Sequence, residues 1–92
     1  MPPLIGRRAR VLERLNLGEF YHRELPGLKT GSGDEAIALC PFHEDRNPSL
    51  SVNLATGLFN CFGCGKAGDV FSWIMFLHGK TFTEALGIAA SL

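Results

Sequence analysis

The chain has 92 residues, 46% of them hydrophobic, and its nine Lys/Arg balance nine Asp/Glu to a formal charge of zero. This composition excludes an intrinsically disordered chain, and the neutral sum gives no electrostatic sign of a nucleic-acid partner. One small domain is expected, burying roughly two-thirds or less of its unfolded surface, so its core is marginal without a staple.

In chain order, the N-terminus runs Met-Pro-Pro-Leu-Ile-Gly-Arg-Arg-Ala-Arg. Charge follows the apolar residues and no apolar run comes after, unlike a secretory signal. Arg7 to Leu17 predicts a helix, with Val11, Leu12 and Leu15 on one face and arginines on the other. Gly18 is expected to interrupt it, and Glu19 to Leu25 to form a second short helix before the Pro26-Gly27 turn. Leu28 to Cys40 reads as two strand arms around Thr30-Gly31-Ser32-Gly33-Asp34. Ser49 to Leu54 alternates polar and apolar residues, the period of a half-buried strand. After the Ala55-Thr56-Gly57 turn, Leu58 to Phe62 is expected to return as its partner.

Asp69 is placed to cap a helix through Leu77 or His78, ended by Gly79. That helix is apolar on most sides, which predicts burial or an interface. Its apolar run, Val70 to Leu77, is too short to span a bilayer. Thr81-Phe82-Thr83-Glu84 fits a capping box and opens a last helix, with Phe82, Ala85, Leu86 and Ala89 on one face. The expected parts are therefore a helical segment over 1–27, a sheet over 28–66 and helices over 67–92.

Cys40-Pro41-Phe42-His43 and Cys61-Phe62-Gly63-Cys64 are two metal-ligand half-sites of matching spacing, seventeen residues apart. They consume all three cysteines of the chain. An odd count argues against a disulfide framework and suits a reducing cytoplasm. Four N/S ligands satisfy one tetrahedral Zn²⁺ and close its shell, which marks a structural rather than a catalytic metal. Glycines crowd the second half-site, where backbone N–H groups can turn toward sulfur. His22 and His78 are expected at the surface or at helix ends rather than on the metal.

These half-sites, together with Arg46-Asn47-Pro48-Ser49-Leu50-Ser51-Val52, the run Phe59 to Val70 and Phe82-Thr83-Glu84-Ala85-Leu86, resemble the N-terminal zinc-binding domain of DnaG-type bacterial and phage primases. The resemblance covers about residues 37 to 90. It implies an α+β zinc ribbon, an antiparallel sheet flanked by helices, with one structural zinc on Cys40, His43, Cys61 and Cys64. It also implies single-stranded template DNA as partner and a role in initiation-site choice for a separate RNA-primer polymerase domain. That catalytic domain, and a replicative helicase, are the implied protein partners. No membrane or small-molecule substrate is expected.

Lys29, Arg46 and Lys66 are candidate phosphate contacts, Ser51 a hydrogen-bonding one, and Phe59 a base-stacking one. Phe62 is the other aromatic beside Cys61, while Phe42 is expected under the zinc knuckle. The chain has no acidic cluster of the kind that holds Mg²⁺ for nucleotidyl transfer, so no catalysis is expected from it alone. An interaction module that docks on a replication protein, or on a second copy of itself, is the alternative.

Overall fold

The computed structural model of the protein describes residues 6–31, 33–44 and 46–92, apart from the side chains of residues 6 and 7. Residues 1–5, Ser32 of the first strand turn and Asp45, two residues after His43, lie outside the described residues. Helix α1 (Gly6–Arg14) is followed by α2 (Leu17–Glu24), then strands β1 (Lys29–Thr30), β2 (Glu35–Ala38), β3 (Leu50–Asn53), β4 (Phe59–Cys61) and β5 (Ala67–Gly68). Helices α3 (Val70–His78) and α4 (Phe82–Ala90) complete the chain.

The break between the first two helices falls at Asn16, not at the predicted Gly18. The Asn16 side chain accepts from the Glu19 N–H at 3.0 Å, so it caps α2. An amide cap satisfies an orphan N–H of the first turn, and Gly18 simply follows inside that turn.

The five strands lie in sequence order, each antiparallel to the next. Antiparallel neighbours in chain order need only short turns, which suits so small a chain. Alternation then sorts the side chains. Ala36, Ala38, Leu50, Val52, Phe59 and Cys61 point inward and are buried. The other phase carries Lys29, Glu35, Ile37, Ser51, Asn53 and Asn60 on the outer face, in the rows Lys29–Ile37–Ser51–Asn60 and Glu35–Asn53.

The inner face is covered by helices. Trp73 of α3 is fully buried, and the rings of Tyr21, Phe42 and Phe59 meet it at 5.0–5.2 Å in edge contacts. The Trp73 indole N–H donates to Glu24 Oε1 at 2.9 Å, and His78 Nε2 lies 2.7 Å from the same oxygen. Thus α3 is tied to the end of α2. The Tyr21 hydroxyl donates to the Gly57 carbonyl at 2.7 Å, fastening α2 to the β3–β4 turn; burial raises its pKa and keeps the phenol neutral.

Local rules place the ends of α3 and α4. The Asp69 carboxylate accepts from the Ser72 N–H at 3.0 Å, and Gly79 takes the left-handed conformation, φ 63°, that ends the helix. The Thr81–Glu84 capping box is complete. Arg8 of α1 pairs with Asp69, and its guanidinium lies over Phe71 and Phe82 at 5.6 and 5.9 Å. Phe82 is 41% exposed rather than in the core, because its ring lies under Arg8 and against Phe71 at the rim of the α3–α4 packing. No helix among the described residues is long and apolar enough to cross a membrane.

Candidate metal centre

The two half-sites meet at one end of the sheet. Cys40 follows β2 by two residues, and Cys61 is the last residue of β4. Both are buried, Cys64 is exposed and His43 is half-buried. Phe42, between the first two ligands, packs its ring on Trp73 at 5.0 Å and on Phe59 at 5.7 Å, anchoring the knuckle to the core. Beyond Cys61 the chain turns sharply: the Gly65 N–H donates to the Cys61 carbonyl and the Cys61 N–H to the Lys66 carbonyl, both at 2.9 Å. Gly63 is required by contact. A Cβ there would lie 2.9 Å from the His43 ring and 3.0 Å from Ser49 Oγ.

The ligand atoms are already oriented. His43 Nδ1 lies 2.9 Å from the Glu44 carbonyl, which makes Nδ1 the donor and leaves Nε2 as the metal-facing nitrogen. Cys61 Sγ accepts from the Gly63 N–H at 3.3 Å and the Cys64 N–H at 3.4 Å, with Ser49 Oγ at 3.4 Å. Burial opposes the Cys61 thiolate, but the Ser49, Cys64 and His43 hydrogen bonds outweigh it and lower the thiol to about 6. Burial pushes the Cys40 thiol up to about 12 against the Phe42 N–H. In the metal-free set Cys61 is thus the readiest ligand, and metal binding must expel the proton of Cys40.

The donor set fits zinc. The four ligand atoms lie within 4.8 Å of one another. His43 Nε2 to Cys61 Sγ is 3.3 Å and Cys40 Sγ to Cys64 Sγ is 3.9 Å. Zn–S bonds of about 2.3 Å and Zn–N bonds of about 2.0–2.1 Å give tetrahedral edges of about 3.5–3.8 Å, so only small adjustments separate the set from a zinc shell. Four protein ligands close that shell, and the zinc is structural.

The family model described as CHC2 zinc finger matches residues 9–92. This chain belongs to the CHC2 zinc finger family. It is similar to the DNA primase of Helicobacter pylori, 47% identical over 77 residues, covering 84% of this chain and 13% of that protein. It is likewise similar to the DNA primase of Enterococcus faecalis, 46% identical over 61 residues, covering 66% of this chain and 10% of that protein. The chain therefore spans only about a tenth of the length of these curated relatives. Among solved structures, the Aquifex aeolicus primase (zinc-binding and RNA polymerase domains) superposes with a TM-score of 0.80 at 25% identity, over 92% of this chain and 21% of that one. The resemblance to the primase zinc-binding domain, the mixed fold and the single structural zinc all stand.

Around the zinc finger's knuckle, an open groove of about 710 Å³ runs beside the metal ligands. Lys29 and Arg46 both line it, with Pro26, Ile37, Leu39 and His43 among its other walls. Lys66 does not line this groove; its ammonium sits 5.1 Å from the Phe76 ring centroid. Ser51 is on the outer sheet face, but its hydroxyl donates to Glu35 Oε1 at 2.9 Å. Ser49, two residues earlier in the chain, lies against Cys61 Sγ.

Phe59, the predicted stacking residue, is only 3% exposed and packs against Phe42 and Trp73. It presents no face to a base, because it shares the inward phase of the strand with Cys61. Phe62 is the exposed aromatic, at 77%. Strand parity carried this signal: a buried ligand at Cys61 takes the residue two positions earlier inside and leaves the next residue out.

Proposed function

We propose that this zinc finger binds single-stranded template DNA and assists initiation-site choice for a separate RNA-primer polymerase domain. The observation that carries the reading is the groove beside the zinc knuckle, which both Lys29 and Arg46 line. Phosphate contacts of this kind dominate affinity and make it salt-dependent. Phe62 supplies a stacking face, and one base on an aromatic ring gains about 1–3 kcal/mol. Lys66, two residues past the second half-site, and Ser51 on the outer sheet face are further candidate contacts. The names of the relatives, DNA primases, agree with this class of partner.

The primase catalytic domain is the protein partner of this reading, with a replicative helicase as a further one. In this reading primer synthesis belongs to that separate domain, and a cysteine set committed to a metal site supports a reducing, cytoplasmic setting. The half-exposed rings of Phe76 and Phe82 on the helical side favour a second reading, docking on a replication protein or a second copy.

Titration of the zinc-loaded chain with short single-stranded DNA, followed by NMR at low and moderate salt, separates the two. Salt-sensitive shifts are expected at Lys29, Arg46 and Phe62. Arg46→Ala is expected to leave the melting temperature unchanged and reduce the salt slope by about one phosphate contact. No shifts at millimolar DNA, with a concentration-dependent mass by light scattering, would hand the site to docking.

A further inference from the structure

A second depression, of about 530 Å³, lies on the outer sheet face, one strand pairing from the Lys29–Ile37 wall of the phosphate groove. Glu35, Ser51, Asn53, Leu58 and Asn60 line it. One of its walls is a carboxylate, an unexpected group on a face that would meet an anionic strand. The sheet register brings Glu35 opposite Asn53 and Ser51 opposite Asn60. The Ser51 hydroxyl donates to Glu35 Oε1 at 2.9 Å and the Asn53 amide to Oε2 at 3.0 Å. Each carboxylate oxygen is therefore fixed by one donor. An ionised carboxylate has about four lone-pair sites, so each oxygen keeps acceptor capacity toward the solvent. Asn60 is exposed, and its side-chain amide makes no hydrogen bond among the described residues. Leu58, 54% exposed, adds an apolar wall.

The result is a rigid pair of adjacent acceptors on an open, base-sized surface. The Watson–Crick edge of guanine is the nucleobase edge that presents two adjacent N–H donors, N1–H and the 2-amino group. Cytosine and adenine set one donor beside a ring-nitrogen acceptor, and thymine sets its N3–H between two carbonyls. Either arrangement turns an acceptor toward one carboxylate oxygen. Unpaired bases in single strands expose this edge. We propose that Glu35, held by Ser51 and Asn53 and flanked by Asn60, reads a guanine of the template strand through its Watson–Crick edge. The inference deepens the template-binding reading and rests on it. Glu35 repels phosphates, so its contribution is selectivity rather than affinity.

The test is binding of the zinc-loaded chain to oligothymidylates that carry one central guanine, hypoxanthine, adenine or cytosine. The wild-type chain is expected to prefer guanine by about five- to tenfold, the low end for a bidentate base contact because the site is open to water. Hypoxanthine, which lacks the 2-amino group, should lose most of that preference. Glu35→Gln keeps the size of the side chain but turns one acceptor into a donor. It is expected to keep the melting temperature, abolish the preference and bind the guanine-free strands more tightly than wild type. Wild-type binding without preference, or a preference that survives Glu35→Gln, would overturn the assignment while leaving template binding intact. Binding to none of the four strands would overturn both readings together.

Discussion

Around the metal the chain has almost no regular structure: two knuckles, a sharp turn after Cys61 and an exposed Cys64. Around Trp73 it is the reverse, with a layer of α2 and α3 on the inner sheet face and aromatic edges meeting at 5.0–5.2 Å. The knuckle depends on four ligand atoms, and the core on buried area. The two are not independent. Phe42 stands between Cys40 and His43 in sequence and lies against Phe59 and Trp73 in space. Releasing the metal frees the knuckle and loosens one wall of the core. This coupling lets a small domain with a marginal core behave as one cooperative unit.

Breaking the metal end gives the largest expected effect. Cys61→Ser replaces a fully buried thiolate that takes two backbone N–H groups by a hydroxyl, a poor zinc ligand. Structural zinc contributes on the order of 10 kcal/mol, more than a typical small domain has to spare. The variant should carry less than one zinc per chain after desalting and show no cooperative melt at room temperature. Wild-type melting in a variant without zinc would show that the core stands by itself and that the coupling through Phe42 is weak.

Breaking the core end should cost less. Trp73→Ala removes the ring on which Tyr21, Phe42 and Phe59 converge and leaves Glu24 without its indole donor. Truncations of this kind cost about 3–5 kcal/mol. The melting temperature should fall steeply while zinc stoichiometry stays at one per chain, because no ligand is touched. Loss of zinc from this variant would place the knuckle downstream of the core instead.

The metal end was the more legible of the two in the sequence, since ligand identity and spacing are written in the residues themselves. The ends of α3 and α4 were legible for a related reason: Asp69, Gly79 and the Thr81–Glu84 box act on their own backbone. What escaped did so for more than one reason. Strand β5 has only Ala67 and Gly68, no side-chain pattern at all, and exists because β4 pairs with it. Asn16 won over Gly18 as the helix break because a cap satisfies backbone donors, whereas glycine near a helix start is a small cost. The inward turn of Phe59 needed the strand phase set by Cys61. The Glu35–Ser51–Asn53 cluster needed the β2–β3 register.

The smallest effect separates charge from capping at the joint between α1 and α3. Asp69 caps α3 through the Ser72 N–H and pairs with Arg8. Burial raises its pKa, but the Ser72 and Arg8 contacts outweigh that, and the carboxyl is held below its ordinary 3.8. A depressed carboxyl stabilises the fold above its unfolded value and loses that contribution as pH falls through the folded one. That window lies where protons already compete for the zinc ligands, so salt is the better probe. Arg8 is 57% exposed, and such a pair contributes at most about 1 kcal/mol and is screened. Asp69→Ala should cost about 0.5–2 kcal/mol at any salt, because the cap is lost. Asp69→Asn keeps the cap and loses the charge, so its smaller deficit should vanish as salt rises. A salt-independent deficit in Asp69→Asn would mean that the capping geometry, not the bond to α1, is what the carboxylate supplies.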